Sequence, residues 1–255
     1  MTQLEEPFEV NGYKLYLDDM DSLDLRKDLV YDRDETNFMY NIIKPDWQCL
    51  DIGANIGYFT ILMARLCKFV FAFEPDNDNF TLLRTNLNLN KISNAIAFCN
   101  AVTNDNEGEV KLHECTFNRG MHRIYPSKWC KGKVTSVKGV RLDDFNQLRK
   151  FEKINFVKMD IEGAELGALK GMEKLIYENK PILLMEYHPP TIEEYGHDPK
   201  ETYDFLKENG YVVNLLESSF SPDYVRIDNI SYEQLLQETY NAPGRNILAT
   251  PLIIK

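Results

Sequence analysis

The sequence predicts an α/β fold, with a mostly parallel sheet and helices packed on both of its faces. From residue 48 onward, short apolar runs alternate with segments of helical period, the pattern of strand–helix–strand units. The first of those runs ends in a glycine-containing loop that opens a helix. With 255 residues, 44% hydrophobic and 27% charged, the chain is long and apolar enough for one sizeable core and unlike a disordered or collagen-like chain.

Residues 8–17 alternate weakly and predict a hairpin. It belongs to an acidic, tyrosine-rich extension, residues 1–40, expected to pack on a core domain spanning 41–255. Residues 48–52 form the first strand of that domain. Phe59, Leu62, Met63 and Leu66 then stand at i, i+3, i+4 and i+7, one face of a helix. Residues 69–73 are apolar throughout, as in a strand buried on both faces, and stop at Glu74-Pro75. Phe80, Leu83 and Leu87 mark the next helix, with Asp76 or Asp78 as its cap.

Residues 96–102 and 154–159 are the third and fourth strands, and Leu166, Leu169, Met172 and Ile176 mark a helix after the fourth. A fifth strand covers 181–187, and a helix over about 200–209 ends at Gly210. Residues 211–216 and 247–254 are the last two apolar runs, with Pro251 confining the last to an edge or ending it. Between strands three and four the rhythm breaks. Residues 109–142 show only short alternating pieces, a β-rich insertion placed to cover or shape a site.

Charge excludes some partners. The chain has 29 Lys and Arg against 40 Asp and Glu, net −11, a field that repels phosphate backbones, so no nucleic-acid partner is expected. No run approaches the ~18 apolar residues of a membrane span, and the first nine residues lack a signal peptide's apolar stretch. A cytoplasmic, reducing location is the expectation. The five cysteines are odd in number with no C-x-x-C pair, which suggests neither a disulfide framework nor a zinc knuckle. Cys49, Cys67 and Cys99 lie in or beside apolar runs and read as buried thiols. No feature predicts an oligomeric state.

In open α/β sheets, ligands bind beyond the carboxyl ends of the strands. The first such end is Asp51-Ile52-Gly53-Ala54-Asn55-Ile56-Gly57. Gly53 and Gly57 let the backbone turn sharply and approach a ligand, and the following helix offers free N–H groups to an anionic atom. Asn55 stands where a dinucleotide fingerprint has its middle glycine, and no Gly-Lys-Ser/Thr follows, so a pyrophosphate is disfavoured. Glu74 ends the second strand 23 residues after Asp51, where an acid holds a ribose diol. A nucleoside without pyrophosphate but with a compact charged group is S-adenosylmethionine (SAM). Taken singly, Asp51 is a capping acid, the glycines a tight turn and Glu74 a solvated strand end; their spacing joins them.

A second cluster, Lys158-Met159-Asp160-Ile161-Glu162-Gly163-Ala164-Glu165, places three acids where the fourth strand gives way to a helix. Asp160 is expected to meet the charged end of the cofactor and Glu162 the acceptor. The bland alternative for Glu162 and Glu165 is helix capping.

These segments resemble one family. "LDIGANIGYFT", "FAFEPDNDNFTLLRTNLNLN", "VRLDDF" and "VKMDIEGAELGALKGM", in order between about residues 30 and 188, are similar to FkbM-type SAM-dependent methyltransferases. The last segment is the most specific; the glycine loop alone indicates only the wider class I fold. The resemblance implies a seven-stranded Rossmann-like sheet with a reversed last strand, SAM as methyl donor, and a hydroxyl acceptor on a sugar or polyketide-like molecule. It further implies that Asp51, Gly53, Ala54, Asn55 and Gly57 line the methionine part, that Glu74 holds the ribose, that Asn100 and Ala101 lie near the adenine, and that Thr36 approaches the methionine end.

Methyl transfer to an alcohol benefits from a base that takes the hydroxyl proton. His188, after the fifth strand in "MEYHPP", is the expected base, with Asp160 and Glu162 as alternatives and Glu186 on the same strand face. Packing against Pro189 and Pro190 is its bland reading. His122 could reach over the site from the insertion, whereas His113 and His197 have no supporting context. Lys128, Lys131, Lys133, Lys138, Arg119, Arg123 and Arg141 make a basic cluster within that insertion. It is either a solvated hairpin face or a sign of an anionic small-molecule or glycan acceptor, with Tyr125 and Trp129 as stacking platforms. Asp160, Glu162 and Glu186 could supply oxygens to Mg²⁺, but no spaced ligand set demands it, and no metal is expected. Two other readings compete. A nicotinamide-dependent oxidoreductase is disfavoured by Asn55, and a SAM-binding module without turnover by the acids at 160 and 162.

Overall fold

The computed structural model describes residues 6–105, 108–145, 153–216, 229–242 and 245–252. The predicted hairpin is present: β1 (Phe8–Val10) pairs antiparallel with β2 (Tyr13–Leu15). Asn11 (φ 49°) and Gly12 (φ 76°) turn the chain between them, the pair of left-handed residues that matches strand twist. Two helices the sequence reading did not place follow, α1 (Leu25–Asp28) and α2 (Arg33–Ile42). The Asp32 side chain caps α2 by accepting from Glu35 N.

The central sheet opens with β3 (Gln48–Ile52), α3 (Tyr58–Leu66), β4 (Phe69–Phe73), α4 (Asn77–Leu89) and β5 (Ala95–Phe98). Asp76 is the cap of α4, its carboxylate accepting from Asp78 N and Asn79 N. The predicted third strand is two strands. β5 stays in the central sheet, while β6 (Ala101–Val102) leaves it to pair with β8 (Val134–Val140), itself antiparallel to β7 (Glu109–His113). This three-stranded sheet and the 3₁₀ turn Arg119–Met121 make up most of the expected β-rich insertion.

The chain returns to the centre with β9 (Phe156–Met159), followed by α5 (Glu165–Gly171) and α6 (Glu173–Asn179). The sequence periodicity had joined these two helices; Met172, at φ −130°, breaks them. Next come β10 (Ile182–Glu186), α7 (Pro189–Tyr195), α8 (Pro199–Glu208), β11 (Tyr211–Leu215), α9 (Tyr232–Thr239) and β12 (Asn246–Pro251). The strand order is β11-β12-β10-β9-β3-β4-β5, with β12 antiparallel to both of its neighbours and the rest parallel. This is the Rossmann-like seven-stranded sheet with its last strand reversed. β12 lies inside the sheet, not at an edge, and it stops at Pro251 opposite Tyr211. Residues 253–254 of the predicted strand lie outside the described residues.

Alternate residues of the central strands feed two cores. Cys49, Val70, Ala72, Phe156 and Leu184 face Phe38, Met39, Ile61 and Leu83 on one side. Leu50, Ile52, Phe71, Val157, Met159 and Leu183 face Leu166, Leu169, Ile176 and Leu206 on the other. Among the described residues no helix is long and apolar enough to cross a membrane.

The cysteine expectation needs correcting, because Cys115 and Cys130 form a disulfide. The β7–β8 ladder continues past its named ends: Glu114 N donates to Lys133 O and Gly132 N donates to Glu114 O. That continuation brings the two α-carbons to 4.0 Å, a proximity that spacing alone does not reveal. Cys49 and Cys67 are buried free thiols as expected, while Cys99 is only half-buried.

Two glycines at similar positive φ separate conformational from steric demand. A Cβ on Gly53 (φ +85°) would lie 1.9 Å from the Asp160 carbonyl oxygen, whereas one on Gly196 (φ +97°) would meet nothing within 4 Å. Gly53→Ala is therefore expected to cost about 3–5 kcal/mol, and Gly196→Ala about 1–2 kcal/mol. Urea unfolding of both variants without ligand measures the difference; equal costs would mean that the β3–β9 contact yields freely.

Candidate active site

The carboxyl ends of β3, β4, β9 and β10 surround a cleft enclosing about 1090 Å³ of empty space, part of it open to solvent. The turn Asn118–His122 of the insertion forms one wall, and Ser22, Leu23 and Tyr31 from the N-terminal segment form another. The insertion thus does shape a cavity, and the N-terminal segment contributes to it.

One half of the cleft is built from the loop after β3. Gly53 N and Ala54 N both donate to Phe73 O at 3.0 Å, which ties the loop to the end of β4. Asn55 takes a left-handed conformation (φ 50°) and its N–H donates to Glu74 Oε2 at 2.8 Å, while Asp76 N donates to Glu74 Oε1 at 2.9 Å. Each Glu74 oxygen retains a lone pair for a further donor. Burial pushes the Glu74 carboxyl up to about 7, against the pull of those two N–H groups. Asn55 Oδ1 is shielded from solvent and has no partner. Two carboxylate oxygens for a diol and an orphaned acceptor for an ammonium group fit the nucleoside and amino-acid ends of SAM. Asn100 and Ala101 line the cleft as well, Asn100 Nδ2 donating to Lys138 O.

Three of the expected binding residues lie behind this surface. Gly57 (φ +96°) caps α3, and a Cβ there would meet Leu83 Cδ1 at 2.6 Å. Thr36 is buried; its hydroxyl donates to Tyr31 O and lies 3.2 Å from the Tyr58 hydroxyl, so it supports two tyrosines that do line the cleft. Asp51 is wholly buried, one oxygen accepting from Thr60 Oγ1 and the other without a hydrogen bond.

Asp51 is held by charge. The strand register sets it opposite Lys158, whose ammonium is buried, lies 3.1 Å from Asp160 Oδ2 and sits 4.9 Å above the Phe59 ring. Burial works against that ammonium, but Asp160, Glu35 and Asp51 together raise its pKa well above the ordinary lysine value. Burial raises Glu35 and Asp51 in turn, and Lys158 opposes the rise in both. The sequence reading passed over Lys158; its signal was a lone lysine inside the apolar run 154–159.

The other half of the cleft is acidic. Asp160, Glu162 and Glu186 each present one carboxylate oxygen within 4.8 Å of the others. Asp160 and Glu186 directly follow and end neighbouring parallel strands, paired through Met159 and Met185. Glu162 sits at φ 57° in the loop between β9 and α5, and its Oε2 lies 3.3 Å from the Arg123 guanidinium, which also pairs with Glu194. The Tyr125 hydroxyl, 2.8 Å from Glu162 O, pins the same loop. Glu165 is buried and its Oε1 accepts from Ile161 N and Gly163 N, so it shapes the loop from beneath. Burial, then the neighbouring Asp160 and Glu162, push Glu186 well above the usual carboxylate range.

His188 is half-buried at the N-terminus of α7 and is not among the residues lining the cleft. Burial and Arg123 lower its pKa. His122 does line the cleft, its Nδ1 accepting from Cys115 N at 3.1 Å. The basic cluster divides. Arg119 pairs with Asp76 and Asp78 at the cleft wall, Arg123 is buried in its ion pairs, and Lys128, Lys131, Lys133 and Lys138 are exposed and outside the lining. Tyr125 is stacked on Tyr195 at 4.5 Å, so its ring is already occupied, and Trp129 is exposed.

A family model, the methyltransferase FkbM domain, matches residues 51–213. The hexuronic acid methyltransferase AglP of Haloferax volcanii is 24% identical over 220 residues, 85% of this chain and 86% of that protein. Methyltransferase sdnD of Sordaria araneosa is 26% identical, over 74% of this chain and 87% of its own length. Among solved structures, methyltransferase FkbM from Methylobacillus flagellatus KT superposes with a TM-score of 0.47 at 18% identity, covering 84% of this chain; this chain spans half the length of that one.

Lys158→Met should destabilise the protein by about 3–5 kcal/mol, because it strands buried carboxylates without their cation. Urea unfolding at pH 7 reads this directly, and a loss below 1 kcal/mol would mean that the acids are neutralised in some other way. The pH dependence follows from the same burial. Glu35, Asp51 and Glu74 are all raised in the folded state, so folding takes up protons that the unfolded chain releases. Stability of the ligand-free protein should therefore fall as pH rises from about 4.5, the unfolded value, through Glu74's value of about 7. Lys158 titrates far above this window. Glu74→Gln should flatten the decline, raising the thermal midpoint at pH 8 by about 2–4 °C per kcal/mol recovered. Thermal midpoints that rise steadily from pH 5.5 to 8 would contradict this sign.

Proposed function

The chain belongs to the FkbM methyltransferase domain family, SAM-dependent methyl transferases, and from the chemistry of its cleft we propose that its own acceptor is a hydroxyl group on a sugar ring. The observation that carries this reading is the convergence of Asp160, Glu162 and Glu186 beside the glycine loop. Carboxylates are hydrogen-bond acceptors, and a sugar hydroxyl is the donor that complements them. The cations nearest the cleft, Lys158, Arg119 and Arg123, are each held in ion pairs. This favours the hydroxyl-bearing face of an acceptor over a phosphate or carboxylate at the point of transfer. The name of the Haloferax relative, a hexuronic acid methyltransferase, points to the same substrate class.

SAM supplies an activated methyl group when bound. The protein's work is to bind, align and desolvate. Glu74 is assigned to the ribose hydroxyls, Asn55 Oδ1 to the ammonium group, and Asn100 and Ala101 to the adenine side. Asp160, anchored by Lys158, sits between the two halves and holds both in register. The acidic group orients the acceptor hydroxyl and receives its proton; His188, outside the cleft lining, takes no part in the transfer. Family membership sets aside the nicotinamide reading, and turnover separates an enzyme from a SAM-binding module.

The test is transfer of labelled methyl from SAM to a panel of uronic-acid and neutral sugar glycosides. Label in an alkali-stable ether is expected; alkali-labile label would mean esterification of a carboxylate, and label on nitrogen would overturn the hydroxyl reading. Asp160→Asn and Glu186→Gln should lower turnover by about 10²–10⁴-fold, with S-adenosylhomocysteine affinity retained in Glu186→Gln. His188→Ala should keep its activity per folded molecule. A His188→Ala loss as large as that of Glu186→Gln would restore the histidine as base.

A further inference from the structure

We propose that Asp160, Glu162 and Glu186 bind a divalent, oxygen-preferring cation of the Mg²⁺ or Mn²⁺ kind at the acceptor end of the cleft. Three carboxylate oxygens, one from each residue, lie within 4.8 Å of one another. Oxygens across an ion with bonds of about 2.1–2.5 Å stand about 4.2–5 Å apart and adjacent ones closer, so one ion can span the trio after small side-chain adjustments. The ligands come from well-fixed backbone. Asp160 and Glu186 stand at the ends of hydrogen-bonded parallel strands, and Glu162 sits on a loop pinned by Tyr125 and Glu165.

A second observation points to a ligand. Glu186 Oε2 is shielded from solvent and has no hydrogen-bond partner. Asp160 has Lys158 and Glu162 has Arg123, each through a single oxygen. Among the described residues Glu186 has no ion pair, although Asp160 and Glu162 are its neighbours. Lys158 and Arg123 are each shared with further carboxylates, Asp51 and Glu194, so this region holds more acids than cations, an excess that burial makes expensive. A divalent ion reverses that balance. An all-oxygen donor set with no imidazole or thiolate favours Mg²⁺, Mn²⁺ or Ca²⁺ over Zn²⁺. All three residues line the cleft, from which water and the acceptor's oxygen would complete the shell. Only this last step, the acceptor's contact with the ion, rests on the sugar-hydroxyl reading; ion binding itself does not.

The experiment uses the full chain, stripped with chelator and titrated with MnCl₂ while free Mn²⁺ is followed by electron paramagnetic resonance, with no cofactor or acceptor present. One site per chain and an ion-dependent rise in thermal midpoint are expected, with Mg²⁺ competing. Glu186→Gln should weaken the site by about tenfold or more. Asp160→Asn is the second variant, and Glu201→Gln, an exposed acid on α8, is the control that leaves binding unchanged. Absence of a stoichiometric site, or equal Mn²⁺ affinity in wild type and both site variants, would falsify the proposal. Sugar methylation that persists in chelator, with no Mn²⁺ bound, overturns the ion and leaves the acceptor assignment standing. Mn²⁺ binding that Glu186→Gln abolishes supports the ion even if no sugar is methylated.

Discussion

A single buried ammonium group holds the catalytic end of this sheet together. Lys158 lies on β9, the middle strand of the sheet, with Asp51 opposite it on β3 and Asp160 two residues on. Glu35 reaches the same charge from α2. An ion of this kind is costly to desolvate, and its attraction to several carboxylates in a low-dielectric interior offsets that cost only when all are in place. The geometry of Asp160, and through it the division between the two halves of the cleft, depends on that balance. Thr60 on Asp51 and the face of Phe59 beneath the ammonium complete the surroundings. The network explains why residues that look like ligand contacts in the sequence, Asp51 above all, are instead a buried foundation for those that line the cleft.

Close backbone approach is the second constraint. The turn at Gly53 passes so near the Asp160 carbonyl that no side chain fits, and at Gly163, at φ +97°, a Cβ would lie 2.7 Å from the Thr191 carbonyl oxygen. The first contact locks the loop after β3 to the end of β9, and the second locks the loop after β9 to the start of α7. Three successive strand ends are thereby fixed relative to one another without a covalent link. Glu74 and Glu165 complete this by accepting backbone N–H groups of the loops they sit beneath. Burial nevertheless raises both carboxylates to about 7, against the pull of those N–H groups.

The insertion turns an open strand-end crevice into an enclosed cleft. Its small sheet borrows β6 from the end of the third strand, and the Cys115–Cys130 disulfide closes the base of the segment that carries Asn118, Arg119 and His122 to the cavity wall. Arg119 then spans from that wall to Asp76, the cap of α4, so insertion and core share an ion pair at the rim. Enclosure matters for methyl transfer, since excluding water strengthens the electrostatic contacts that align the acceptor.

The sequence by itself determined the architecture and the strand-end loop that opens the cleft. Strand and helix periods, the Asp51–Gly57 loop and the acid at Glu74 are local patterns, and local patterns survive without knowledge of what packs against them. The cap at Asp76 was legible for the same reason. Only the tertiary structure decided what each charge does. It set Lys158 against Asp51, split residues 96–102 between two sheets, brought Cys115 to Cys130, and turned β12 into the interior. It also drew Glu186 into the acidic group and left His188 outside the cleft, although the two lie two residues apart. The physical reason is that a buried charge takes its role from partners far away in the chain. Asp51 and Lys158 are neighbours only because β3 and β9 pair, and no spacing along the sequence encodes that pairing.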